Sequence, residues 1–162
     1  MTEGLNTTNQ NQFNAMLQRA WAQHQAGQLR TAESTYLQLL AASPGNPDAN
    51  NLMGLLQIQL GCPEQAIKHI RTALKSDPHN PQSLYNLGIA CKDLGRIDAA
   101  TGHFKKCVTL APSNADAINS LANCLRLQGH AKEASNWFEK ALRLQPQNPL
   151  VYCNLGYLSL GQ

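Results

Sequence analysis

The sequence predicts an all-α fold, a right-handed α-solenoid of antiparallel helix pairs, on three observations. Pro47–Asn80, Pro81–Asn114 and Ala115–Asn148 align without a gap as successive 34-residue segments. A fixed period in this range marks a chain whose repeats bury their apolar faces only against their neighbours. Small residues recur at offsets where two helices would cross, and a glycine recurs where the chain would turn between them. Finally, 43% hydrophobic residues in a chain of 162 can build a core of useful size.

Residues 1–12 (Met1-Thr2-Glu3-Gly4-Leu5-Asn6 onward) are polar and read as a disordered or helix-extending lead-in. They lack the basic start and apolar core of a signal peptide. A single solenoid is expected over residues 13–162. Its first repeat, 13–46, has Ala20, Gly27, Ala32, Tyr36 and Pro44 in register. It departs at Arg19, where later repeats carry Met53, Leu87 and Leu121, and at Leu39, where they carry a small residue. Terminal repeats are usually atypical, because one face meets solvent.

Repeats 47–80, 81–114 and 115–148 share one physical plan. Positions eight (Gly54, Gly88, Ala122), twenty (Ala66, Ala100, Ala134) and twenty-seven (Ala73, Cys107, Ala141) stay small so that paired helices approach closely. Position twenty-four (Ile70, Phe104, Phe138) is large and fills the space beside that crossing. Gly61, Gly95 and Gly129 supply a left-handed turn between helices. Pro78, Pro112 and Pro146 help stop the second helix. A partial fifth repeat, 149–162, has Tyr152, Leu155 and Gly156 in register and stops inside its first helix.

These residues reach a family. The segment Leu84-Tyr85-Asn86-Leu87-Gly88, followed by Ala100, Phe104 and Pro112, resembles the tetratricopeptide repeat, whose motif runs W-x-x-L-G-x-x-Y and then A, F, A and P. The resemblance covers Phe13 to Gln162. It extends to bacterial arrays of this repeat and to the repeat region ahead of O-linked N-acetylglucosamine-transferase-like or sulfotransferase enzymes. It implies a protein–protein interaction scaffold that binds a peptide or partner helix in a concave groove lined by the first helices. The alternative it implies is the N-terminal substrate-recruiting region of a larger glycosyltransferase or sulfotransferase.

Groove positions can then be read off. The expected binding residues are Asn51, Tyr85, Asn86, Lys92, Asn119, Asn123, Arg126 and Asn154. An asparagine amide both donates and accepts, so it can hold the main chain of an extended peptide whatever its sequence. Tyr85 adds a rigid amphipathic contact, and Lys92 and Arg126 favour a carboxylate. Trp21, Leu55 and Ile58 make the first two repeats apolar, with Trp21 itself read as core or capping. The Lys/Asn/Arg clamp by which family members hold chaperone termini has no matching trio here. The asparagine ladder of the transferase superhelix is interrupted at Leu52 and Ser120.

The sequence carries no H-E-x-x-H, G-x-S-x-G, Walker or dinucleotide motif, so no enzyme and no cofactor are expected. His69 and His103 share one repeat position and read as a solvated outer pair; without further ligands at metal spacing they predict no metal site. Cys62, Cys91, Cys107, Cys124 and Cys153 form no C-x-x-C pair; most read as buried and reduced, with Cys62 and Cys153 more exposed. A net charge of +3 without a Lys/Arg run predicts no nucleic-acid partner. RNA binding, the competing geometry, would show steep salt dependence. No run approaches the ~18 apolar residues of a membrane span, so a cytoplasmic protein is expected. The apolar last helix (Leu150, Val151, Leu155, Leu158, Leu160) is expected to meet a second copy or a downstream domain.

Overall fold

The computed structural model describes residues 2–149 with Val151, Tyr152 and Asn154, and side chains from Asn9 onward. The described residues form eight α-helices and no strand. They are α1 (Thr2–Gln25), α2 (Leu29–Ala42), α3 (Pro47–Gln59), α4 (Pro63–Ser76), α5 (Pro81–Asp93), α6 (Ile97–Leu110), α7 (Ala115–Leu127) and α8 (Ala131–Leu144). This is an all-α repeat solenoid fold built from helix hairpins. Each odd-numbered helix packs most extensively on the even-numbered helix that follows it. The contacts gather into two compact units, one ending at Pro78 and holding α1–α4, the other beginning at His79 and holding α5–α8. The expected homodimer or downstream-domain contact falls on a C-terminal helix most of which, with Cys153, lies outside the described residues.

Local chemistry sets the hairpins. Asn46, Asn80 and Asn114 cap α3, α5 and α7, their side-chain oxygens accepting from the N–H groups of Ala49, Ser83 and Ala117 at 2.9, 2.9 and 3.0 Å. Such caps satisfy donors that have no partner within the helix. At the inner turns the chain reverses through Gly27, Gly61, Gly95 and Gly129, all at φ between 70° and 81°. Around Gly61 the Cys62 N–H reaches back to the Gln57 carbonyl at 2.8 Å and closes the last turn of α3.

In the first unit Tyr36, Met53, Leu56 and Ile70 are fully buried among Ala20, Ala32, Ala49 and Ala66. Arg19 is exposed, and Leu39 is buried in the place of a small residue. In the second unit Phe104, Phe138, Ile118 and Leu121 fill the centre. The small position eight is a steric requirement. A Cβ on Gly88 would meet Phe104 Cε1 at 2.5 Å, and one on Gly54 would run into the Ile70 side chain.

Polar groups inside the hairpins are matched. Asn50 is buried; its amide donates to the Pro44 and Asn46 carbonyls at 2.8 and 2.9 Å, and its oxygen meets His69 Nδ1 at 3.1 Å. His69 is therefore not the solvated outer group its sequence position suggested: it lies against α3, half-buried, with its pKa lowered by desolvation. His103 is half-buried as well. His24 is buried between Tyr36 (Nδ1 to hydroxyl, 3.4 Å) and Gln59 (Nε2 to Oε1, 3.1 Å). Because Gln59 Oε1 can only accept, Nε2 carries a hydrogen; burial lowers the His24 pKa, and the Gln59 hydrogen bond opposes that shift. Cys91, Cys107 and Cys124 are buried and Cys62 is half-buried. No helix of the described residues is long and apolar enough to cross a membrane.

Candidate functional site

Seven of the eight expected binding residues lie in the second unit, on α5, α7 and the segment after α8. Helical spacing brings them to one face: Tyr85 and Lys92 on α5, Asn119, Asn123 and Arg126 on α7. All five are half-buried. The Tyr85 ring lies 5.8 Å from that of Phe104, and its hydroxyl is hydrogen-bonded to Ser120 on α7. Burial raises its pKa above the ordinary value, so the hydroxyl is neutral. Lys92 lies near enough to the Cys124 thiol to oppose the rise that burial imposes on it.

The asparagines engage one another. Asn154 Nδ2 donates to Asn119 Oδ1 at 3.2 Å, and Asn123 Nδ2 donates to the Asn119 carbonyl at 3.2 Å. Among the described residues Asn119 thus keeps its amide hydrogens, and Asn123 keeps its side-chain oxygen, at one turn's separation on α7. Arg126 has its Nε buried without a hydrogen-bond partner among the described residues. Asn86 sits elsewhere than a binding surface: it is 1% exposed, with its oxygen accepting from Gln82 Nε2 at 3.1 Å. One helical position beyond Tyr85, its side chain turns into the packed face.

Asn51 belongs to the first unit and lines a cleft of about 300 Å³ between α1 and α3. Leu17, Trp21 and Leu52 make its walls, and Gln18, Asp48 and Asn51 its polar rim. That volume is at the small end of the range for ligand clefts, roughly 300–1,000 Å³. Trp21 is neither core nor cap. It stands half-buried as a wall, edge-on to His24 with ring centroids 5.3 Å apart. Its repeat position, shared with Leu55, Ile89 and Asn123, was the signal that could have placed it there.

The two units differ in charge: the chain up to Pro78 holds five Lys/Arg and five Asp/Glu, whereas the rest holds eight and five. The whole net charge of +3 therefore resides in the second unit. Among the described residues no group of three His, Cys, Asp or Glu could hold a metal ion.

Comparison with known proteins agrees with this architecture. Residues 23–87 and 81–114 each match the tetratricopeptide repeat family, and residues 122–161 match a TPR repeat family. Among solved structures the chain is similar to MamA, with a TM-score of 0.80 at 22% identity over 88% of this chain and 83% of that one. It is also similar to pilF of Pseudomonas aeruginosa, with a TM-score of 0.82 at 24% identity over 90% and 67% of the two chains. A third similar structure is YrrB, a TPR protein with an unusual peptide-binding site, at a TM-score of 0.78 and 19% identity over 95% and 80%. No curated protein matches the sequence.

Proposed function

The chain is a tetratricopeptide-repeat protein, and from that premise we propose that it is a protein–protein interaction module holding a peptide or partner helix on the faces of its first helices. The observation that carries this reading is the half-buried polar set Tyr85, Lys92, Asn119, Asn123 and Arg126 on α5 and α7. The amide hydrogens of Asn119 and the amide oxygen of Asn123 match the alternating carbonyl and N–H groups of an extended main chain. Arg126, with a buried Nε that has no hydrogen-bond partner among the described residues, supplies a charge-assisted contact to an acidic side chain or a chain terminus. In the first unit the cleft beside Trp21 suits one large apolar side chain, and its Asp48 and Asn51 rim suits a donor.

A defined peptide array tests this with the wild type, Asn119→Ala/Asn123→Ala and Arg126→Gln, each first matched for helicity. Two main-chain hydrogen bonds of about 0.5–1.5 kcal/mol each set the loss for the double variant at roughly five- to a hundredfold, across peptides regardless of sequence. Arg126→Gln weakens acidic peptides selectively. Unchanged binding of every peptide by both variants overturns the reading.

A further inference from the structure

The second unit has another cleft that the first-helix faces do not use. It measures about 440 Å³ and opens between α6 and α8, where both pack on α7. Trp137, Val108, Pro112 and Leu121 line it, and Lys105 and Lys140 also form its walls. No acidic side chain lines it. Lys140 Nζ lies 5.0 Å from the centroid of the Trp137 ring. Lys105 Nζ reaches across to Glu133 of α8 at 3.7 Å, a half-exposed pair that solvent leaves weak enough to exchange.

Repeat geometry alone does not dictate this arrangement. At the positions equivalent to Lys105 and Lys140, the first unit has Leu37 and Thr72, and where Trp137 stands it has His69, already bonded to Asn50. The aromatic wall and the two lysines are particular to α6 and α8. They also belong to the unit that carries the whole positive charge.

We propose that this cleft is a second docking site, for an acidic peptide segment in which a large apolar side chain is flanked by carboxylates. The apolar side chain lies on Trp137 beside Pro112. One flanking carboxylate meets Lys140, and the other displaces Glu133 from Lys105. Charge complementarity selects the occupant: the ammonium groups of Lys105 and Lys140 in one cleft with an indole match carboxylates flanking an apolar side chain.

The test uses a short labelled peptide with phenylalanine flanked by glutamates, and the same peptide with glutamines. A Trp21→Phe background makes Trp137 the only indole in the chain, so its fluorescence reports on this cleft. The acidic peptide is expected to bind with a change in that emission, and the glutamine peptide to bind markedly less. Reversing both half-exposed lysines, Lys105→Glu/Lys140→Glu, is expected to weaken binding about tenfold or more, while Asn119→Ala/Asn123→Ala leaves it unchanged. Equal binding of both peptides, binding that survives the lysine reversal, binding without a Trp137 response, or no binding of the acidic peptide each overturns the proposal. The last variant pair keeps its failure distinct from failure of the first-helix reading.

Discussion

Gly88→Ala and Gly102→Ala make the same chemical change in two adjacent helices, and the structure gives them opposite signs. In an unobstructed helix interior, alanine is favoured over glycine by roughly 0.5–1 kcal/mol, because it loses less backbone entropy. Gly102 on α6 is exposed, with nothing within 4 Å of an added Cβ, so it receives that gain in full. At Gly88 the Cβ would sit 2.5, 2.7 and 2.8 Å from three atoms of the Phe104 ring. The ring cannot swing aside: it is 0% exposed and packs against Tyr85. Forcing a methyl into such a contact costs about 1–3 kcal/mol. Set against the propensity gain, this leaves Gly88→Ala destabilised by about 1–2 kcal/mol. For a chain of this size that lowers Tm by roughly 2–8 °C, readable by thermal circular dichroism and urea titration side by side. Adding Phe104→Leu removes the obstruction, so the double variant loses at least ~0.5 kcal/mol less than the two single changes summed. Gly88→Ala as stable as Gly102→Ala, or strictly additive with Phe104→Leu, would refute close helix crossing as the reason for the small residue at position eight.

Two further outcomes follow from the polar interior. Asn50→Ala removes the partner of the half-buried His69 Nδ1 and one hydrogen bond each from the Pro44 and Asn46 carbonyls at the α2–α3 turn. It is expected to cost about 2–3 kcal/mol, and urea unfolding that places it within experimental error of wild type contradicts the stitching role. His24 and His69 both have folded pKa values lowered from 6.5, chiefly by desolvation. The unfolded chain then binds more protons than the folded one below 6.5, so stability is highest above that pH and falls on acidification from about 7 to about 5. Replacing both histidines with glutamine should flatten that slope; a slope left unchanged removes them as its cause.

What could be read from the sequence was whatever the repeat itself enforces. Gly61 and Gly95 announced left-handed turns, and Ile70 and Phe104 announced the space left by Gly54 and Gly88, because these requirements recur every 34 residues. The candidate faces were less legible. Period assigns a side chain to a helix face but not to a partner. Asn86 on α5 and Asn119 on α7 stand one repeat position apart, yet one is buried with its oxygen on Gln82 and the other meets Asn154. His69 departs for the same reason: its bond runs to Asn50, where the later repeats have Leu84 and Ile118. Residue type alone places Trp21 wrongly, since aromatic bulk favours burial on average, whereas here the side chains of Leu17, Trp21 and Leu52 leave a cleft between α1 and α3.

The asparagines that end each repeat in sequence begin the next helix in space. Asn80 is the last letter of the segment 47–80, but its oxygen holds the first turn of α5. The unit of covalent repetition and the unit of folding are thus out of phase by one residue. A graft cut between Asn80 and Pro81 transplants a hairpin whose leading N–H groups have left their acceptor behind, whereas a cut one residue earlier carries it along. For shuffling or extending such an array, the punctuation belongs to the word that follows it.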